Sequence, residues 1–125
     1  MKRNLDLIRL ILIEIENASN KGLYLDDLVK ALNVDIEIIN YQVNLLHDAK
    51  FIKLRGLVTV LTPQSTKYDD FKIDRLTLAG HDYLDAIRSD TVWNKLKEKT
   101  GSLFTSLAFS VIKDESQKLI KELLD

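Results

Sequence analysis

Residues 5–15 form the most apolar stretch of the chain, and they constrain its fold more than any other feature. Eight of these eleven residues are Leu or Ile, and at helical spacing they cover almost the whole circumference of a helix instead of one stripe. A helix of this kind must be buried on two sides. We therefore predict a helix from Asn4 to about Asn17, with other elements packed around it.

Most of the remaining chain is also predicted to be helical, because only one proline and four glycines interrupt it. The apolar residues keep a helical period, and polar residues suited to helix caps stand at the expected starts. The further predicted helices are a short one over about 25–32, one capped by Asp35 and ending near Ala49, one capped by Thr77, one after a break or cap at Ser89, and a long C-terminal helix, Leu103–Leu124.

A β-hairpin is predicted in the middle of the chain. Residues 51–54 and 57–60 are rich in β-forming side chains, and the polar stretch 62–66 after them is typical of a loop. Residues 71–75 then alternate apolar and polar side chains as a half-buried strand does. We expect two antiparallel strands with the hairpin tip near residues 63–70, and hence a mainly α fold with one small β-hairpin.

Three helices, a hairpin and a further helix are the elements of a winged helix-turn-helix. The run Leu46–Ile52 resembles the leucine, three residues, glycine, leucine, isoleucine sequence that joins the recognition helix to the wing in many winged-helix regulators. Lys50 occupies the position of that glycine, so it is predicted to have a positive φ angle. We predict a winged-helix domain over residues 1–101 and a C-terminal helical extension over 102–125 for packing or dimerisation.

A second resemblance covers nearly the whole chain. Residues 1–9, 76–88 and 90–95 resemble an uncharacterised family of small bacterial proteins that prophages frequently carry. This resemblance implies a winged-helix-like architecture and a phage or mobile-element setting. It assigns no catalytic residue.

The sequence favours a protein without enzymatic activity, cofactor or metal. The absence of cysteine excludes disulfides, thiol catalysis and cysteine-ligated metals. The two histidines, His47 and His81, fit no zinc-protease pattern, and no glycine-rich phosphate loop or nucleophile elbow is present. No stretch matches a membrane span or a secretory signal, so we expect a cytoplasmic protein that does not bind membranes.

Double-stranded DNA is the first candidate partner, although a net charge of −1 requires that any DNA contact depend on a local basic surface. On the third helix, the outward face is predicted to carry Glu37, Asn40, Tyr41, Asn44 and Asp48. Asn40, Tyr41 and Asn44 would meet bases or phosphates. Four hairpin cations would grip the backbone: Lys53, Arg55, Lys67 and Lys72.

A protein-interaction module is the alternative, because the predicted outward face of the third helix carries two acids and no Lys or Arg. Glu37 and Asp48 would repel phosphate, whereas they would attract a basic protein surface. The partner would then be a host protein engaged by a phage accessory factor. In both cases the apolar first and last helices are predicted to touch within one chain or between chains, and we expect a homodimer.

Overall fold

The computed structural model describes residues 1–56 and 71–125. The predicted mainly α fold with a small antiparallel hairpin is confirmed. Residues 57–60, the predicted hairpin tip and Lys67 lie outside the described residues. The elements in chain order are α1 (Leu5–Asn17), α2 (Leu25–Leu32), α3 (Ile36–Asp48), β1 (Ile52–Gly56), β2 (Phe71–Leu76), α4 (Leu78–Ile87), α5 (Asp90–Thr100), a 3₁₀ helix (Gly101–Ser106) and α6 (Phe109–Leu124).

The chain divides into two compact units, residues 1–80 and 81–125. This division differs from the predicted one after Gly101, because α5 packs against α6 and so belongs with the C-terminal residues. Among the described helices, none is long and apolar enough to span a membrane.

In the first unit, α1 is the central element, as its sequence predicts. The side chain of Asn4 caps it by accepting a hydrogen bond from the backbone N–H of Leu7 at 3.0 Å. The helix packs against α2, α3 and β2, and Ile8 and Ile11 are completely buried. Leu10 is the exception on this apolar helix, since 44% of its surface is exposed. Burial on more than one side of α1 is therefore confirmed.

In the second unit, the prediction of one continuous helix over Leu103–Leu124 is wrong. A 3₁₀ helix ends at Ser106, the next two residues are extended, and α6 begins only at Phe109. The break lets two aromatic rings reach different partners: Phe104 packs edge-on against Trp93 of α5, and Phe109 packs edge-on against Tyr83 of α4, each with ring centroids 5.1 Å apart. Aromatic packing here overrides the local helical spacing.

An ion pair joins α5 to α6. The Glu115 carboxylate accepts hydrogen bonds from Lys99 Nζ at 2.9 Å and Lys118 Nζ at 3.2 Å. The hydrogen bond from Lys99, followed by that from Lys118, lowers the pKa of Glu115 below its usual 4.5, and the bond to Glu115 raises the pKa of Lys99. A carboxyl whose pKa is lowered by folding stabilises the protein above its unfolded-state pKa, and this contribution is lost as the pH falls through the folded-state value.

We therefore expect Glu115→Gln to lower the melting temperature slightly at pH 7 and not at all once acid has protonated Glu115 in both states. Thermal unfolding of wild type and variant from pH 7 to pH 3 measures this difference. Glu98→Gln, at an exposed position on α5, is the control and should show no such pH dependence. A difference that grows as the pH falls would contradict the role of the ion pair.

Candidate nucleic-acid interface

The turn between α3 and β1 is built around Lys50. Its φ angle is +63°, so the predicted left-handed conformation is confirmed. The N–H of Lys50 donates to the carbonyl of His47 at 2.9 Å, and the N–H of Phe51 donates to the carbonyl of Leu46 at 3.0 Å. Thr77, just before α4, donates its hydroxyl to the Lys50 carbonyl at 2.7 Å and its N–H to the Phe51 carbonyl at 2.9 Å. The turn is thereby fixed to the start of α4.

Replacing Lys50 by glycine should stabilise the protein by up to about 1 kcal/mol, because glycine adopts positive φ without the steric cost of a Cβ atom. Lys50→Ala is the matched control, since it removes the charge and keeps the Cβ atom. Urea unfolding of both variants measures the effect. If Lys50→Gly is no more stable than Lys50→Ala, the left-handed turn is not strained.

The hairpin is fastened to the turn between α1 and α2. Leu23 and Ile73 exchange two backbone hydrogen bonds, of 2.9 and 2.7 Å, which add an isolated bridge beside β2. Gly22 allows this close approach, because its φ is +77° and a Cβ atom there would lie 2.7 Å from the Ile73 carbonyl oxygen. The position of the hairpin is therefore set by backbone contacts with the turn between α1 and α2.

The register of the hairpin places like charges opposite each other. Lys53 on β1 pairs with Arg75 on β2, and Arg55 pairs with Lys72. The two strands together carry these four cations and one acid, Asp74. Like charges directly opposite each other in an antiparallel pair destabilise it by about 0.2–1 kcal/mol. The hairpin therefore concentrates positive charge on a chain whose net charge is −1.

Two of the predicted phosphate-binding cations also hold the hairpin in place. Arg55 is hydrogen-bonded to Asp74 and donates through Nη2 to the Asn20 carbonyl at 3.0 Å. Lys72 Nζ donates to the Lys21 carbonyl at 3.3 Å and lies 4.7 Å from the centre of the Tyr24 ring. Their charges remain near the surface, but part of their hydrogen-bonding capacity is already used.

The ammonium group of Lys53 remains free to meet an anion, since it forms no hydrogen bond or ion pair with the residues that the structure describes. The same holds for Lys50, which the sequence did not single out for binding. Arg75 is a further hairpin cation that was not among the predicted phosphate-binding residues. Its side chain is 59% exposed, with Nε 4.0 Å from the Asp74 carboxylate and Nη1 donating to the Leu76 carbonyl at 3.1 Å. The register irregularity after Lys53 brings Arg75 opposite Lys53, and no sequence pattern shows that irregularity.

On α3, the prediction that Asn40 lies on the outward face is wrong, because only 3% of its surface is exposed. Burial extends beyond the apolar stripe of Ile39 and Val43 to the residues beside it. Asn44 is half-buried, and its amide donates to the Asn40 carbonyl at 3.1 Å. Tyr41 is also half-buried. Of the three predicted base-reading residues, only Tyr41 and Asn44 therefore reach the surface, and only in part.

Gln42 has a structural role that the sequence did not indicate. It is 1% exposed, its Oε1 accepts from the N–H of Asn4 at 3.0 Å, and its Nε2 donates to the Lys2 carbonyl at 3.1 Å. These bonds hold the N-terminal segment against α3. Glu37 and Asp48 are exposed on α3, as predicted, and Ile38 is exposed beside them.

Comparison with known proteins gives a family without an assigned activity. Residues 2–105 match the family described as hypothetical protein (DUF2513). An uncharacterized protein of Haemophilus influenzae is 37% identical over 125 residues, which cover 99% of both chains. No solved structure matches this chain. The chain therefore belongs to the DUF2513 family.

Proposed function

We propose that this protein is a non-catalytic, cytoplasmic nucleic-acid-binding module of winged-helix type, and that its hairpin grips the phosphate backbone of double-stranded DNA. The observation that carries the proposal is the cross-strand pairing of Lys53 with Arg75 and of Arg55 with Lys72. Four cations held on one short hairpin repel each other, and a polyanion relieves that repulsion. The order of three helices, hairpin and helix supports the winged-helix assignment.

The proposed contact is made mainly by the hairpin and only weakly by α3. Asn40 is buried, and the exposed part of α3 carries Glu37 and Asp48, which repel phosphate. Phosphate contacts position a protein on DNA without reading the bases. The module should therefore bind duplexes of different sequence with similar affinity, with Tyr41 and Asn44 adding little discrimination.

A regulatory role as a homodimer is part of this proposal. In residues 81–125, Leu103 is 66% exposed and Leu124 is 81% exposed, which leaves apolar surface for a second copy. A dimer would present two hairpins to one duplex. Because the two hairpins are linked, binding of the first raises the effective concentration of the second, and the apparent affinity increases.

Removal of two hairpin cations tests the proposal. In 50 mM salt, Lys53→Ala combined with Arg75→Ala should weaken binding to a fluorescent duplex by about tenfold or more, because two phosphate contacts are lost. The matched control is Lys30→Ala combined with Lys95→Ala, at exposed lysines of α2 and α5. Equal losses in both double variants, or no binding by the wild type, would contradict the proposal. Fluorescence anisotropy gives the dissociation constants.

The exposed face of α3 favours a second candidate function, the binding of a basic protein. Ile38 is 38% exposed beside the exposed acid Glu37, and Asp48 is exposed at the end of the helix. Glu37→Gln separates the two functions by the sign of its effect. It should strengthen DNA binding if α3 approaches the phosphates, and it should weaken a complex in which acids attract a basic partner.

A further inference from the structure

An open groove of about 370 Å³ lies at the base of the hairpin, within the first unit. Its lining residues come from the end of α3, the following turn, β1 and the residue before α4: His47, Lys50, Ile52, Lys53, Leu54 and Thr77. None of these residues is acidic. The groove therefore combines two lysines and a histidine with an apolar wall, and the described residues that line it include no carboxylate.

The two lysines of the groove are available as ligands. The ammonium group of neither lysine forms a hydrogen bond or ion pair with the described residues, whereas the side chains of Arg55 and Lys72 already donate to backbone carbonyls. The backbone of Lys50 is held by the Thr77 hydroxyl, which itself accepts from the N–H of Gly80 at 3.1 Å. Thr77 thus forms part of the wall, and the free donors of the groove are the Lys50 and Lys53 ammonium groups and the His47 ring.

We propose that this groove is a phosphate subsite, in which Lys50 and Lys53 bind one phosphate group of the nucleic-acid backbone and His47 donates a further hydrogen bond. Lysine binds phosphate as a compact point charge with three donors. The inference rests on the proposed function and deepens it, because it adds Lys50 and His47 to the contact and places one phosphate at the junction of α3 and β1.

A second groove, of about 390 Å³ in residues 81–125, provides the contrast. It is lined by Lys113 together with Asp82, Asp85, Ala86, Gln117 and Ile120. Two carboxylates beside one ammonium group disfavour an anion. Lys113→Ala is therefore a matched control, because it removes a lysine from a groove of similar size in which no phosphate is expected to bind.

Titration of the full chain, labelled with ¹⁵N, with inorganic phosphate at constant ionic strength tests the subsite. The amide signals of Lys50 and Lys53 should shift and saturate, and Lys50→Ala combined with Lys53→Ala should weaken phosphate binding by at least about tenfold, as expected when two charged donors are lost. Lys113→Ala should leave it unchanged. Absent or unsaturable shifts, or shifts that survive the double variant, would overturn the subsite.

Three further probes identify the source of the phosphate. Thymidine 5′-monophosphate should shift the same signals, and thymidine without phosphate should not. A duplex should bind more weakly to Lys50→Ala than to wild type. Unchanged duplex affinity in Lys50→Ala would overturn the subsite and leave the hairpin proposal standing. Saturable phosphate binding without any duplex binding would instead overturn the nucleic-acid source and assign the groove to small phosphate compounds.

Discussion

Replacing Gly80 by alanine is expected to destabilise the protein by about 3 kcal/mol, the upper part of the range for a forced overpacking. Gly80 lies in the first turn of α4, where alanine would normally be the better helix former by about 1 kcal/mol. A Cβ atom there would collide with the carbonyl oxygen of Phe51, which is backbone. That carbonyl is held by the hydrogen bond from Thr77 and cannot easily move away. The collision therefore makes Gly80→Ala destabilising, whereas helix propensity alone predicts that this substitution stabilises the protein.

Gly101→Ala separates this collision from backbone strain. Gly101 has a φ of +56°, but apart from adjacent residues of its own chain segment, no described residue would come within 4 Å of a Cβ atom at this position. Its replacement should cost only the backbone strain of a side chain at positive φ, on the order of 1–3 kcal/mol. Urea unfolding of the two variants gives the comparison. A Gly80→Ala protein as stable as wild type would show that Gly80 does not pack against the Phe51 carbonyl in this way.

Duplex affinity is expected to fall about 12-fold when salt rises from 50 to 200 mM, if Lys50 and Lys53 share one phosphate and Arg75 meets a second. Each neutralised phosphate contributes a slope of about −0.9 to the logarithm of affinity against the logarithm of salt concentration. Two neutralised phosphates give a slope of about −1.8, and loss of Arg75 should flatten it by about 0.9. Anisotropy titrations at several salt concentrations measure the slope.

The control for this slope is Lys30→Ala, at an exposed lysine of α2. Its slope should equal that of the wild type. A wild-type slope near zero would mean that the hairpin cations do not neutralise phosphates. A change as large in Lys30→Ala as in Arg75→Ala would mean that binding follows overall charge alone.

The sequence predicts best those features that depend on neighbouring residues. The caps at Thr77 and Ser89 are examples, since each side chain accepts a hydrogen bond from a backbone N–H three residues later. The positive φ of Lys50 was also predictable, because the residues around it match a known turn pattern. In each case the determining atoms lie within one turn of chain.

Features that depend on distant packing were not predictable in the same way. Asn40 has the polarity of a surface residue and is nevertheless buried. The break between the 3₁₀ helix and α6 depends on where the Phe104 and Phe109 rings find partners. The placement of Arg75 opposite Lys53 depends on a register irregularity in the sheet. These outcomes are set by tertiary contacts that hydrophobic periodicity does not encode.

The footprint of a DNA duplex on the ¹⁵N-labelled protein tests the central claim most directly. At low salt, the largest amide shifts should fall on β1, β2 and the Lys50 turn, with smaller ones on the exposed part of α3, and they should return toward their free values as salt is raised. Shifts confined to α3 around Glu37 and Asp48, or no shifts at any salt concentration, would contradict the account that the hairpin cations bind the phosphate backbone.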